Sequence, residues 1–203
     1  MALSNQTGIL FIISGPSGSG KTTVCQRLLA NHQESARVIT CTTRAPRPGE
    51  ANGREYRFFD DEEFDRRLAA GEFLEWATTY GKRYGSLIAD YAAAQAEHPL
   101  VFVVLDEVGV KAARLKLTDL RTIGLGCSLE TLKKRMATRQ LPADEAARRL
   151  STYHQEMAFA VSCDFTVMNE DGRLDATMAS IERYLLNWDD PVSGPVHQTA
   201  RRA

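Results

Sequence analysis

Residues 9–22 read ILFIISGPSGSGKT, and this stretch decides the fold. Its first six residues form a continuous apolar run rich in β-branched side chains, the pattern of a strand buried on both faces. Residues 15–22, GPSGSGKT, fit GxxxxGK[ST], and TVCQRLLA after them reads as a helix. Strand, glycine loop and helix in that order make a phosphate loop. The glycines let the chain curl, so that successive N–H groups and the helix N-terminus face phosphate oxygens. Gly15, Pro16, Ser17, Gly18, Ser19, Gly20, Lys21, Thr22 and Thr23 are therefore expected to hold a nucleoside triphosphate. Lys21 supplies charge, and the Thr22 hydroxyl is the expected ligand of a magnesium ion. GTPases, motors and small-molecule kinases share this loop, but the guanine-reading tetrapeptide NKxD of a GTPase does not occur.

Working outward, residues 101–105 (VFVVL), 121–125 (RTIGL) and 165–168 read as further strands with helical segments between them. Continuous rather than alternating apolar strands separated by helices predict a three-layer α/β core with a parallel sheet. The texture changes at residues 40–60, TCTTRAPRPGEANGREYRFFD, which carry four arginines, two prolines and two glycines. Such a stretch is poor material for a core strand and reads as a functional inset. DDEEFDRRLAAG reads as a short helix with acids in its first turn, and EFLEWATTY with GKRYGS after it as strand and turn, with Trp76 in the core. Pro142 in QLPAD is expected to break the charged helical stretch at 129–160. Residues 189–203 read as a disordered tail.

With 203 residues, 43% of them hydrophobic, the chain suits one domain over residues 1–188. Balanced charge, net −1, gives no reason to expect a nucleic-acid or membrane partner. Four scattered cysteines and four histidines show no metal-ligand spacing. MALSNQTG lacks the features of a signal peptide and no apolar run is long enough to span a bilayer, so a cytoplasmic location is expected.

A kinase for an anionic acceptor needs a second phosphate site, built from arginines that grip oxygens bidentately. Arg44 and Arg47 are placed for it in the inset, with Tyr56 and Tyr84 as hydroxyl donors. A carboxylate such as Glu75 can accept two hydrogen bonds from the N1–H and exocyclic amine of guanine, a paired edge that adenine lacks. A site built on those bonds rejects the wrong base by roughly 10⁴ or more, because the buried carboxylate would be left unpaired. Downstream, LETLKKRMATR puts Arg135 and Arg139 four residues apart on one helix face, with Arg149 beyond the Pro142 break. Lys133 and Lys134 read as a solvated face.

The chain resembles the guanylate kinase family from about residue 9 to residue 186. The carriers are GPSGSGKT, TTRAPRPGE followed by NGREYRF, then FLEW, YGS, the strand ending in Asp106, LKKRMATR and MNEDG. The resemblance implies transfer of the γ-phosphoryl group of ATP to GMP or dGMP with Mg2+, giving ADP and GDP. It implies phosphate contacts from Arg44, Arg47, Tyr56 and Tyr84, and guanine contacts from Glu75, Ser86 and Asp106, with Thr40 where the family usually has serine. Lys21, Arg44, Arg135, Arg139 and Arg149 are the implied catalytic cations. The implied plan is a core of residues 8–39, 99–128 and 158–188, a GMP-binding region at about 40–98 and a lid at about 129–157.

Two departures stand out. Where the family has a first acid on the central strand this chain has Val104, and Gly126-Cys127-Ser128 replaces the usual Pro-Pro-Ser. Period-two alternation puts Val104 and Asp106 on one face and Glu107 on the other, so Asp106 is the functional acid and Glu107 a turn or surface one. These departures bear on turnover and donor choice. Two alternatives stay open: a guanylate-kinase-like binding or scaffold domain, and a phosphate-loop kinase for a sugar phosphate. Monomer and homodimer also stay open.

Overall fold

The computed structural model describes residues 8–188 except 48, 80, 118 and 119; the tail expected at 189–203 lies outside the described residues. Strands β1 (Ile9–Ser14), β2 (Ser35–Arg37), β7 (Leu100–Val104), β8 (Leu120–Gly126) and β9 (Phe165–Met168) form one sheet in the order β2-β7-β1-β8-β9. The β2–β7 and β8–β9 pairs are parallel. Helix α1 (Lys21–Asn31) follows β1 directly across the glycine loop. This is the α/β class with a parallel central sheet, and the middles of its strands are sealed: Phe11, Ile12, Ile13, Val101, Phe102, Val103, Ile123 and Leu125 are wholly buried.

The described residues form two compact units, one of residues 8–11 and 32–120, the other of 12–31 and 121–188. In the first, β3 (Cys41–Thr42), β4 (Arg57–Phe58), β5 (Phe73–Thr79) and β6 (Lys82–Leu87) build a second sheet ordered β4-β3-β6-β5. The inset thus contributes only two-residue strands, as its prolines and glycines dictate. GKRYGS is mostly strand: a turn at Gly81 opens β6, which returns antiparallel along β5. Helix α2 (Asp61–Ala69) starts where the acids predict, with Asp60 accepting from the Glu63 N–H at 2.7 Å. Its Phe64 stacks on Phe73 at 4.4 Å and closes a small core with Cys41 and Leu87. Trp76 departs from its predicted place. It is 43% exposed, because alternation along β5 turns its neighbour Glu75 inward instead. Helices α3 (Ile88–Glu97) and α4 (Glu107–Lys116) complete the unit, and Lys116 Nζ ties the end of α4 to the carbonyls of Phe73 and Leu74 on β5.

In the second unit, α5 (Leu129–Thr138) ends before Pro142 and α6 (Ala143–Val161) begins after it, as predicted. The two pack through Cys127, Leu132, Met136 and Tyr153. Helix α7 (Leu174–Asn187) lies against β9, with Tyr184 stacked on Phe165 at 4.6 Å. All four cysteines are buried free thiols.

Candidate active site

The phosphate loop is built from its backbone. Gly15 sits at φ +132°, and a Cβ there would stand 2.3 Å from the Leu125 carbonyl oxygen, so conformation and space both require glycine. Two side chains brace the loop from its carbonyl side. Arg135 Nη1 donates to the carbonyls of Gly18 and Ser19 at 3.2 and 3.0 Å, while Nε reaches Asp171 and Nη2 the Asn169 carbonyl. Asn169, 4% exposed, donates to the Ser19 carbonyl at 2.7 Å. Of the loop amides, Ser19 N–H turns back to the Pro16 carbonyl at 3.0 Å. Ser17 N–H donates to Glu156 Oε2 of α6 at 2.9 Å, so one loop amide meets a carboxylate oxygen. Lys21 Nζ lies over the Gly15 and Pro16 carbonyls at 2.6 and 2.9 Å. The hydroxyls of Ser14 and Ser19 are buried without a hydrogen-bond partner among the described residues. Pro16 is buried, whereas Thr22 and Thr23 are exposed in the first turn of α1. A lone hydroxyl there suits a hard cation that keeps most of its ligands from phosphate and water. No group of three or more acid, histidine or cysteine side chains could hold a metal among the described residues.

The remaining predicted cations of this unit stand apart from the loop contacts. Arg149 pairs with Glu145 one turn back on α6. Arg139 caps the end of α5 and is exposed. Lys133 and Lys134 are exposed as predicted, Lys134 pairing with Glu130. Ser128 begins α5, its hydroxyl accepting from the Thr131 N–H at 3.1 Å. Glu170 accepts from both the Ser128 amide and hydroxyl, which fixes the Gly126-Cys127-Ser128 corner.

In the first unit the structure brings together two groups of predicted residues. Arg44 lies over the Tyr56 ring, 5.4 Å from its centroid, and Tyr84 meets Tyr56 edge-on at 6.1 Å. Arg44 Nη2 also chelates both oxygens of Glu50, at 3.0 and 2.9 Å. Burial opposes its charge, but Glu50 and Tyr84 outweigh burial and hold its pKa above the ordinary value. Arg47 is exposed on the same loop, its amide on Glu50. Arg37, at the end of β2, went unnoticed in the sequence. Its Nε is buried with no hydrogen-bond partner among the described residues, and its charge acts on Tyr56.

The second group is the buried one. Glu75 is 8% exposed, and the Ser86 hydroxyl donates to its Oε1 at 2.5 Å. Burial, opposed by Ser86 and reinforced by the charge of Asp106, pushes its carboxyl up to about 7. Asp106 caps α4, accepting from the Gly109 N–H at 2.8 Å. A Cβ on Gly109 would lie 3.3 Å from Glu75 Oε2 and 3.5 Å from Asp106 Oδ1, which locates the two carboxylates around one small residue. The strand therefore stops at Val104 and the chain turns at Asp106. Glu107 opens α4 and pairs with Lys111 on that helix; it is half-buried, and Asp106 is the exposed one of the two. Thr40 is buried beside β3, its carbonyl accepting from Arg57.

A phosphate loop on a parallel α/β sheet, with a separate site of one buried carboxylate, Glu75, an exposed one, Asp106, beside it, and loop arginines, defines a phosphate-loop kinase acting on a small anionic acceptor. Comparison narrows the class. A family model described as guanylate kinase matches residues 8–187. A guanylate kinase of Symbiobacterium thermophilum is 39% identical over 81% of this chain and 79% of its own length. One from Idiomarina loihiensis is 36% identical over 92% and 90%. The crystal structure of guanylate kinase from Anaplasma phagocytophilum superposes with a TM-score of 0.72 at 26% identity, covering 93% of this chain and 90% of that one. The chain belongs to the guanylate kinase family.

Proposed function

We propose that this chain is an ATP-dependent guanylate kinase. A GMP phosphate oxygen attacks the γ-phosphorus of ATP, the bond from that phosphorus to the β,γ-bridging oxygen breaks, and GDP and ADP leave. The acceptor oxygen is already ionised at neutral pH, so the reaction asks for no general base. It asks for alignment and for cations where charge develops.

Glu75 carries the reading. Glu75 is buried without an arginine or lysine ion pair among the described residues, which is costly unless a ligand supplies donors, and guanine offers two adjacent ones. Ser86 and Asp106 complete the base site, and Thr40 lies on the same unit. Arg44, Arg47, Tyr56 and Tyr84 take the acceptor phosphate. The loop from Gly15 to Thr23 takes the ATP phosphates, its amides doing for phosphate what one of them does for Glu156. Lys21, with Arg135, Arg139 and Arg149 from a lid of residues 129–157, supplies positive charge. The other parts of this assignment are a core of 8–39, 99–128 and 158–188 and a GMP region of 40–98. The Thr22 hydroxyl would hold Mg2+ with the donor phosphates, where the ion offsets their charge. The protein works on soluble cytoplasmic nucleotides.

A coupled assay offering ATP with GMP, dGMP, AMP, CMP or UMP tests this. ADP is expected to appear with GMP and dGMP and to stay at background with the other three. Folded protein that makes no GDP from GMP would overturn the reading and favour a binding domain, for which the missing acid at Val104 is the one supporting observation.

A further inference from the structure

Tyr91 on α3 is wholly buried, yet it brings a hydroxyl into the carboxylate cluster. Its phenol oxygen lies 2.9 Å from Ser86 Oγ, which in turn lies 2.5 Å from Glu75 Oε1. Proton counting fixes the direction of this chain. An ionised carboxylate only accepts, so the single Ser86 proton goes to Glu75, and the Ser86 oxygen must then accept from Tyr91. The phenol has no other hydrogen bond among the described residues. Three secondary elements, α3, β6 and β5, thus converge through one line of hydroxyls onto one carboxylate oxygen. Packing alone would be served as well by phenylalanine.

We propose that Tyr91 is a positioning residue for guanine recognition: acting through Ser86, it keeps Glu75 Oε1 occupied and ionised, so that Oε2 is presented to the donor edge of the base. The inference rests on the GMP reading above. Chained hydrogen bonds polarise one another, so losing the outer donor weakens the inner bond. The other groups facing Glu75 are Asp106 at the start of α4, which disfavours its charge, and Lys116 at the end of α4, which favours it. Cys41 on β3 and Asp90 on α3 also act on the cluster, through Tyr91. Burial keeps both the Tyr91 phenol and the Cys41 thiol, the latter pushed up to about 12, protonated at neutral pH. Tyr91 is therefore a donor throughout the range in which Glu75 titrates.

The test is Tyr91→Phe, which removes one oxygen and keeps the ring. The KM for GMP is expected to rise roughly three- to tenfold, the share of one hydrogen bond, with kcat and the KM for ATP unchanged. In the ligand-free protein the carboxyl carbon of Glu75, assigned by its disappearance in Glu75→Gln, is expected to titrate at higher pH by 13C NMR than in the wild type. In a Ser86→Ala background the same substitution should add nothing, since its route is gone. An unchanged Glu75 midpoint, or an equal effect in both backgrounds, overturns the proposal. Should Tyr91→Phe not fold, Ser86→Ala alone must raise the midpoint, and a midpoint at or below the wild-type value rejects the relay. If the wild type makes no GDP, the proposed function fails, but the ligand-free titration still decides for or against the relay.

Discussion

In the proposed acceptor site recognition falls to one side chain, Glu75, which is 8% exposed and whose carboxyl is pushed up to about 7. In the proposed donor site it falls to the backbone of the phosphate loop, fixed by Gly15 at φ +132° and braced at its carbonyls by Arg135 and Asn169. One site concentrates its selectivity in a carboxylate held under electrostatic stress; the other spreads affinity over a chain conformation. The difference matches what each ligand asks. A purine must be told from another purine by the pattern of its donors, whereas a phosphate presents the same oxygens in every nucleotide.

The most severe break on the loop side is Lys21→Met. If Lys21 serves the developing charge as proposed, removing it is expected to lower kcat by on the order of 10³, with the fold intact by circular dichroism. On the acceptor side, Glu75→Gln is expected to reduce kcat/KM for GMP about 10²-fold, the loss of one charge-assisted hydrogen bond and its geometry, and to leave the KM for ATP alone. Equal losses toward both substrates would remove Glu75 from base recognition.

Glu75 should also trade stability for recognition, with opposite pH signs. Its folded pKa, about 7, lies above the unfolded value of 4.5, so the folded state holds the extra proton between them. The stability it contributes is complete below pH 4.5 and is lost as pH rises through 7, a difference of roughly 3 kcal/mol. Guanine binding instead needs the ionised form and should strengthen over the same interval. Urea titrations are expected to find Glu75→Gln more stable than wild type at pH 8 and no more stable at pH 4. A variant less stable at pH 8 would show that burial does not stress this carboxylate.

Gly15→Ala probes the backbone strategy. Positive φ and the Leu125 carbonyl together predict a loss of roughly 1–3 kcal/mol, read as a lower Tm with weakened ATP binding; an alanine tolerated without change would mean that the loop conformation is softer than it looks. The smallest effect is expected from Val104→Asp, which restores the family's acid at the half-buried end of β7. Turnover should rise a few-fold at most, about 1 kcal/mol or less, and an unchanged rate would show that other groups already serve.

The comparison also explains what could be read from the chain. The loop was legible because its backbone needs particular residues at fixed spacing, and the strands because they are buried on both faces. Asp60 and Pro142 marked helix boundaries through local chemistry alone. Trp76 was misplaced because Glu75 and Trp76 are neighbours on one strand. Only the second sheet decides which points inward, and putting the acid there runs against ordinary transfer preferences. Tyr91, Arg37 and Glu156 left no local signal. Each matters through a partner on another element: Ser86 five residues away, Tyr56 across the inset, and Ser17 at 139 positions' remove.

The turn at Asp106 offers something beyond recognition. Its carboxylate is already engaged by the Gly109 amide, the bond that starts α4. A base that draws on Asp106 must share or displace that bond, worth about 1 kcal/mol as a helix cap. The first turn of α4 would then register an occupied site in its own hydrogen exchange, and the Gly109 N–H becomes a built-in reporter that distinguishes a bound guanine from a bound phosphate without any label on the nucleotide.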